Sequence, residues 1–134
     1  MFENAEIIHS YTRAQAIADE VLHDYTALAS EMGFRCSFAI AHHAWVEAVR
    51  WDESDTRHGQ SETGRAWDVI TCAHFAIASA KHAKKAHVDR LEFTVYRIVR
   101  DSDDPTPRPI TLVIHLGPGD NGEPVFTVMA PADQ

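Results

Sequence analysis

The chain has only two cysteines in 134 residues, Cys36 and Cys72, at unrelated positions. A disulfide framework is thereby excluded, and free thiols in a cytoplasmic setting are the expectation. No run of eighteen apolar residues occurs, so no membrane-spanning helix is expected. The opening Met1-Phe-Glu-Asn-Ala-Glu6 is acidic and lacks an apolar core, so no signal peptide is expected there. Basic residues are scarce: 12 against 20 acids, a formal charge of −8. Residues 1–64 hold 11 acids and 4 bases, whereas residues 65–134 hold 9 and 8. Phosphate backbones demand a basic footprint, so direct nucleic-acid binding is not expected. A basic protein surface is the natural partner of such a chain. At 45% apolar and 24% charged residues, the composition is that of one ordinary globular domain, 1–134.

What is present divides into a helical part and a β part. Thr12-Arg-Ala-Gln15 has capping-box spacing and opens a short helix, Arg13 to about Ala18. Glu6–His9 reads as a short strand, and Val21-Leu22 as an extended connection. A second helix spans Thr26–Met32 and stops at Gly33. Ser37 caps a third, Phe38–Arg50, whose Phe38, Ala41, Trp45, Val46 and Val49 share a face. A polar loop, Asp52–Gln60, leads to the longest helix, about Ser61–Lys81. There Trp67, Ile70, His74 and Ile77 form a stripe, with Ala66, Ala73, Ala76 and Ala80 beside it.

The last third carries three runs of alternating character: Leu91–Val99, Pro109–Leu116 and Glu123–Ala130. The turn Gly117-Pro-Gly-Asp-Asn-Gly122 separates the last two. The expected architecture is therefore α+β: N-terminal helices packed on a C-terminal three-stranded antiparallel meander. The second face of that sheet, with Tyr96 and Val113, is too apolar to face water. A helix or a second copy of the chain is expected to cover it.

Candidate chemistry is thin. The nine histidines lack metal-ligand spacing: His42 and His43 point about 100° apart on a helix, and His82 and His87 flank lysines. No metal or cofactor is expected. Cys72 and His74 face different directions on a helix and make no nucleophile–base pair. Gly117–Gly122 has Gly-x-Gly-x-x-Gly spacing, but a strand follows it rather than a helix, so it is a hairpin turn and not a nucleotide cradle.

Two constellations remain. The first is an acidic segment, Glu47, Asp52, Glu53 and Asp55, with Trp51 as anchor, suited to a basic protein surface. The alternative is a ligand or enzymatic site between the first helix and the long one, around Tyr11, Arg13, Arg65 and Asp68.

Four segments carry a resemblance: Ile7–Asp19, Glu62–Val69, Asp89–Phe93, and Gly117–Pro124 with the following Val-Phe-Thr-Val-Met. They are similar to an uncharacterised family of small proteins encoded on plasmids, integrative elements and phages. That family has Asp-Gly where this chain has Asp19-Glu20, and Pro near Ser37. The resemblance carries no catalytic residues over. It implies an accessory protein of a mobile element, in a setting where small acidic proteins inhibit host defences in the anti-CRISPR or anti-restriction manner. The expected function is accordingly non-enzymatic: binding and inhibiting a host defence complex through an acidic surface.

Overall fold

The computed structural model describes residues 11–83 and 89–133. The strand expected at Glu6–His9 lies outside them. Helix α1, Arg13–Ala18, opens with the full capping box of Thr12 and Gln15. Strand β1, Leu22–Asp24, helix α2, Thr26–Met32, and strand β2, Ser37–Ala41, follow. Next come α3, His42–Ala48, and α4, Glu62–His82. Strands β3, Arg90–Arg97, β4, Arg108–Pro118, and β5, Pro124–Met129, complete the sheet before a 3₁₀ turn at Pro131–Asp133.

The sheet has five strands in the order β1-β2-β5-β4-β3. Neighbours pair antiparallel except β2 and β5, which run parallel with Ser37 opposite Val125. This corrects the expected architecture of helices on a three-stranded antiparallel meander. The sheet is larger and mixed, and two of its strands lie among the N-terminal helices. The expected helix Phe38–Arg50 is also corrected: its first part is β2, and only His42–Ala48 is helical. The physical reason lies in Phe38, Ala39 and Ile40, all completely buried. A strand enclosed on both faces needs an unbroken apolar run, and such a run has no period to separate it from a helix.

One face of the sheet holds the main core. Phe38 and Ile40 of β2, Val128 of β5, Leu112 and Ile114 of β4, and Phe93 and Val95 of β3 pack against Ala29 of α2, Ala44 and Ala48 of α3, and Ala66, Val69, Ile70 and Ala73 of α4. The alanines let the helix backbones approach closely. Phe34 adds edge-to-face contacts with Phe38 and Phe126, at centroid separations of 5.0 and 5.1 Å. On the opposite face Ala39, Val113 and Val125 are buried, while Tyr96 stays 65% exposed. The chain therefore covers Val113 itself and leaves Tyr96 open. Arg13 reaches that face from α1, donating to Thr127 Oγ1 and to the Phe126 carbonyl, each at 2.8 Å.

The end of α1 contains a strained residue. The Glu20 N–H donates to the Ile17 carbonyl and the Val21 N–H to the Ala16 carbonyl, the paired bonds of a Schellman motif. That motif requires a left-handed residue, and Glu20 supplies it with φ of 60°. Glycine normally stands there because a side chain in this region costs about 1–2 kcal/mol. The Glu20→Gly variant should therefore be more stable by roughly 1 kcal/mol, the strain relief being partly offset by unfolded-state entropy. A urea titration checks this as a raised midpoint at unchanged slope.

Candidate functional site

The loop between α3 and α4 is built around Trp51. Its indole is 4% exposed, donates from Nε1 to the Asp55 carbonyl at 2.9 Å, and lies under the Arg65 guanidinium at 4.9 Å. Its backbone N–H donates to Glu62 Oε2. Trp51 is thus an interior support of the loop. For the anchoring role expected of it the ring has almost no exposed surface.

Around it, the acidic segment is threaded with cations. Arg57 donates from Nε and Nη2 to both oxygens of Asp55, at 3.0 and 2.8 Å, and its Nη1 reaches Asp103. Those hydrogen bonds hold the Asp55 carboxyl down at about 2. Hydrogen bonds from Ser54 also lower Asp52. Glu47 faces Arg97 at 3.8 Å. Arg50 and Arg100 share a surface recess with Asp52, Glu53 and Asp101. Of the expected partner-binding residues, only Glu47, Asp52 and Glu53 are exposed, and they stand in a mixed field.

The alternative site divides. Arg65, 3% exposed, donates from Nε to the Val49 carbonyl at 3.0 Å and from Nη1 to the Ile98 carbonyl at 2.8 Å. Burial, with Arg97 and Arg100 nearby, lowers it to about 10. With Asp68, Gln60 and Arg97 it borders a cavity of about 130 Å³ beside the end of β3. Burial raises the Asp68 carboxyl. Arg13 belongs to a different set of contacts. Its own backbone N–H and that of Ala14 donate to the two oxygens of Asp120 in the β4–β5 turn, at 2.7 and 3.1 Å. The Tyr11 hydroxyl donates to Asp19 Oδ2 at 3.0 Å. Among the described residues, no hydrogen bond or cavity joins Tyr11 or Arg13 to Arg65 or Asp68.

A third arrangement was not read from the sequence. Burial lowers the Arg13 pKa, and Asp24, Asp120 and Glu123 lie close enough to oppose that lowering in part. Beside them, Asp19, Glu20 and Asp133 border an open recess of about 640 Å³ with Val21, Leu22, Ala41, His42 and His43. The exposed Val21 lines that recess, and the exposed Tyr11 bonds to Asp19 at its border. The members of the arrangement come from α1, β1, the β4–β5 turn and the 3₁₀ turn. Only Asp19-Glu20 is continuous in sequence, which is why no local pattern signals the rest.

Close by, His23 stacks on Trp45 at 4.0 Å and its Nε2 meets His42 Nδ1 at 3.0 Å. Burial, with the second imidazole, lowers the His23 pKa. Trp45 in turn donates to the Tyr25 hydroxyl. Among the described residues, no group of three or more His, Cys, Asp or Glu could hold a metal ion. Cys72 is half-buried, and burial raises its thiol pKa, the reverse of what an activated nucleophile needs. No helix among the described residues is long and apolar enough to cross a membrane.

No curated protein and no solved structure matches the chain. One protein family does, over residues 1–134. The chain belongs to that family, which is described as a family of unknown function, DUF6573.

Proposed function

We propose that the chain is a non-enzymatic binding protein that docks on a basic protein surface. Its docking surface is the α1–β1 end of the sheet rather than the 47–55 loop. One observation carries the reading: Val21, 50% exposed, lines the open recess with Asp19, Glu20 and Asp133, the last paired with His43, and Tyr11, 55% exposed, bonds to Asp19. An apolar centre within a polar rim is the anatomy of protein interfaces. Charge of one sign around it speeds the approach of a basic partner and disfavours acidic ones. Basic surfaces of this kind belong to proteins that handle nucleic acid. The mobile-element setting implied by the sequence resemblance makes a host defence complex the intended target.

The small-molecule reading has one observation in its favour. Arg65 Nη2 is buried without a hydrogen-bond partner, on a side chain that borders the cavity with Asp68. At about 130 Å³ that cavity falls short of the ~300 Å³ at which ligand pockets begin. The cation–aromatic contact with Trp51 accounts for the guanidinium better than a ligand does.

The test is affinity capture from host lysate on the parent chain and on an Asp19→Asn, Glu20→Gln, Asp133→Asn variant. The parent is expected to retain basic proteins at low salt. Retention should fall as the Debye length shrinks from ~10 Å at 0.1 M to ~3 Å at 1 M. Duplex DNA should displace them, because it competes for the same basic surface. A variant that retains the same proteins as the parent would remove the acidic recess from the account.

A further inference from the structure

Among the described residues, the sheet has one short edge and one long one. β1 offers three residues, whereas β3 offers eight, paired with β4 in unbroken register. Among the described residues, nothing pairs with the other side of β3. Long unprotected edges are rare, since each is a template for another strand. Here the edge has no proline and no bulge to blunt it.

The hydrogen-bonding direction of each β3 residue can be assigned. The Leu116 N–H donates to the Asp89 carbonyl at 2.8 Å, so this opposed pair is hydrogen-bonded. Such pairs alternate along an antiparallel ladder. Leu91, Phe93, Val95 and Arg97 therefore bond to β4. Arg90, Glu92, Thr94 and Tyr96 direct their N–H and C=O groups to the open edge.

Helix α4 packs on β3 and runs antiparallel to it. Asp68 borders a cavity with Val95, Tyr96 and Arg97, and Ile77, Ala80 and Lys81 border another with Asp89 and Leu91. Phe75, 65% exposed, follows Asp68 by two helical turns on the same stripe. Two turns advance about 10.5 Å, or roughly three strand residues at ~3.3 Å each. That places Phe75 level with the middle of β3, near Phe93.

We infer that two copies of the chain pair through β3, antiparallel about a two-fold axis at Phe93, joining two five-stranded sheets into one with the two Phe75 rings packed across the axis. The occupant is a second copy because the strand is self-complementary in this register. Residues facing the same side must oppose one another, so the axis falls on a residue. At Glu92 it would set two carboxylates face to face, and at Thr94 it would set Leu91 against Arg97. At Phe93 it opposes Glu92 with Thr94, Arg90 with Tyr96, Leu91 with Val95, and Asp89 with Arg97. All four outward residues of each copy then find backbone partners. The arginine meets an aromatic ring and the terminal charges are of opposite sign.

Light scattering on the eluting protein tests this across a wide concentration range. The parent chain is expected at twice its 15.0 kDa mass, dissociating on dilution. Thr94→Pro removes an outward donor that β4 does not use, and Phe75→Glu puts two carboxylates at the axis. Both variants should run at the single-chain mass with the parent's circular dichroism. Phe75→Glu decides the matter if the proline variant fails to fold.

The register is read separately in a Cys36→Ser, Cys72→Ser background by direct disulfide formation, which favours opposed residues over diagonal ones ~7–8 Å apart. A mixture of Glu92→Cys and Thr94→Cys chains should cross-link far more than either alone. A parent that stays at the single-chain mass, or a Phe75→Glu variant that stays dimeric, overturns the pairing. Self-linking by either cysteine variant alone overturns the axis at Phe93.

Discussion

Replacing Phe38 with alanine should cost about 3–5 kcal/mol, the range for a fully buried phenylalanine. The ring is completely inaccessible and touches both Phe34 and Phe126. It sits in β2, the strand between β1 and β5. Truncation there leaves a cavity that cannot collapse, because the Phe38 backbone is pinned at both ends. Its carbonyl accepts from the Tyr25 N–H and its N–H donates to Thr26 Oγ1. Domains of this size have about 5–15 kcal/mol in total. Phe38→Ala should therefore lose from about a fifth to nearly all of the stability. A urea or thermal titration measures the loss, and a loss below that of a single methylene deletion would show that the site repacks.

The second large effect belongs to Arg65. Its guanidinium ties three segments together: α4, which carries it, the end of α3 through Val49, and the end of β3 through Ile98. Arg65→Met keeps most of the stem and removes every donor. Two carbonyls then lose their charged donor in a dry environment, at about 1–3 kcal/mol each. The expected loss is roughly 2–6 kcal/mol, with the 51–60 loop loosened at the same time. Arg65→Lys should recover only part of it, since one ammonium cannot span a fork built for a planar group. The indole N–H of Trp51, bonded to the Asp55 carbonyl, gives a local readout by NMR. A stable Arg65→Met variant with an unmoved Trp51 resonance would show that the arginine is not the tie described.

The elements legible in the sequence are those whose signals are local. Thr12 and Gln15 mark the start of α1, Gly33 marks the end of α2, and the Trp67–Ile70–His74–Ile77 stripe marks α4. Alternation in 91–95 and 110–116 marks strands for the same reason. β1 was too short to declare a period. β2 was misread because Phe38-Ala39-Ile40 satisfies a helix and a doubly buried strand equally well. Its parallel pairing with β5 depends on residues far apart in the chain, which no window of neighbours contains.

The candidate sites follow the same division. The charge balance pointed to an acidic surface, but exposure decides which acids form it. Asp55 is neutralised by Arg57, two residues away, and that spacing was visible in the sequence. The approach of Asp120 to Arg13 was not, since it depends on how the β4–β5 turn folds back over α1. Glu20 is the reverse case: the glycine that the sequence resemblance implies at that position gains its meaning from the left-handed backbone.

The parallel pairing of β2 with β5 also governs the order of events during synthesis. A chain emerging from the ribosome holds α1, β1, α2 and β2 long before Pro124–Met129 exist. Until then β2 has only the three residues of β1 beside it, and its other edge stays open. Non-local pairing of this kind slows folding, because loop closure precedes any gain from contact. The nascent chain therefore carries an apolar, half-paired strand until β5 is made, which is the period when misassociation threatens it.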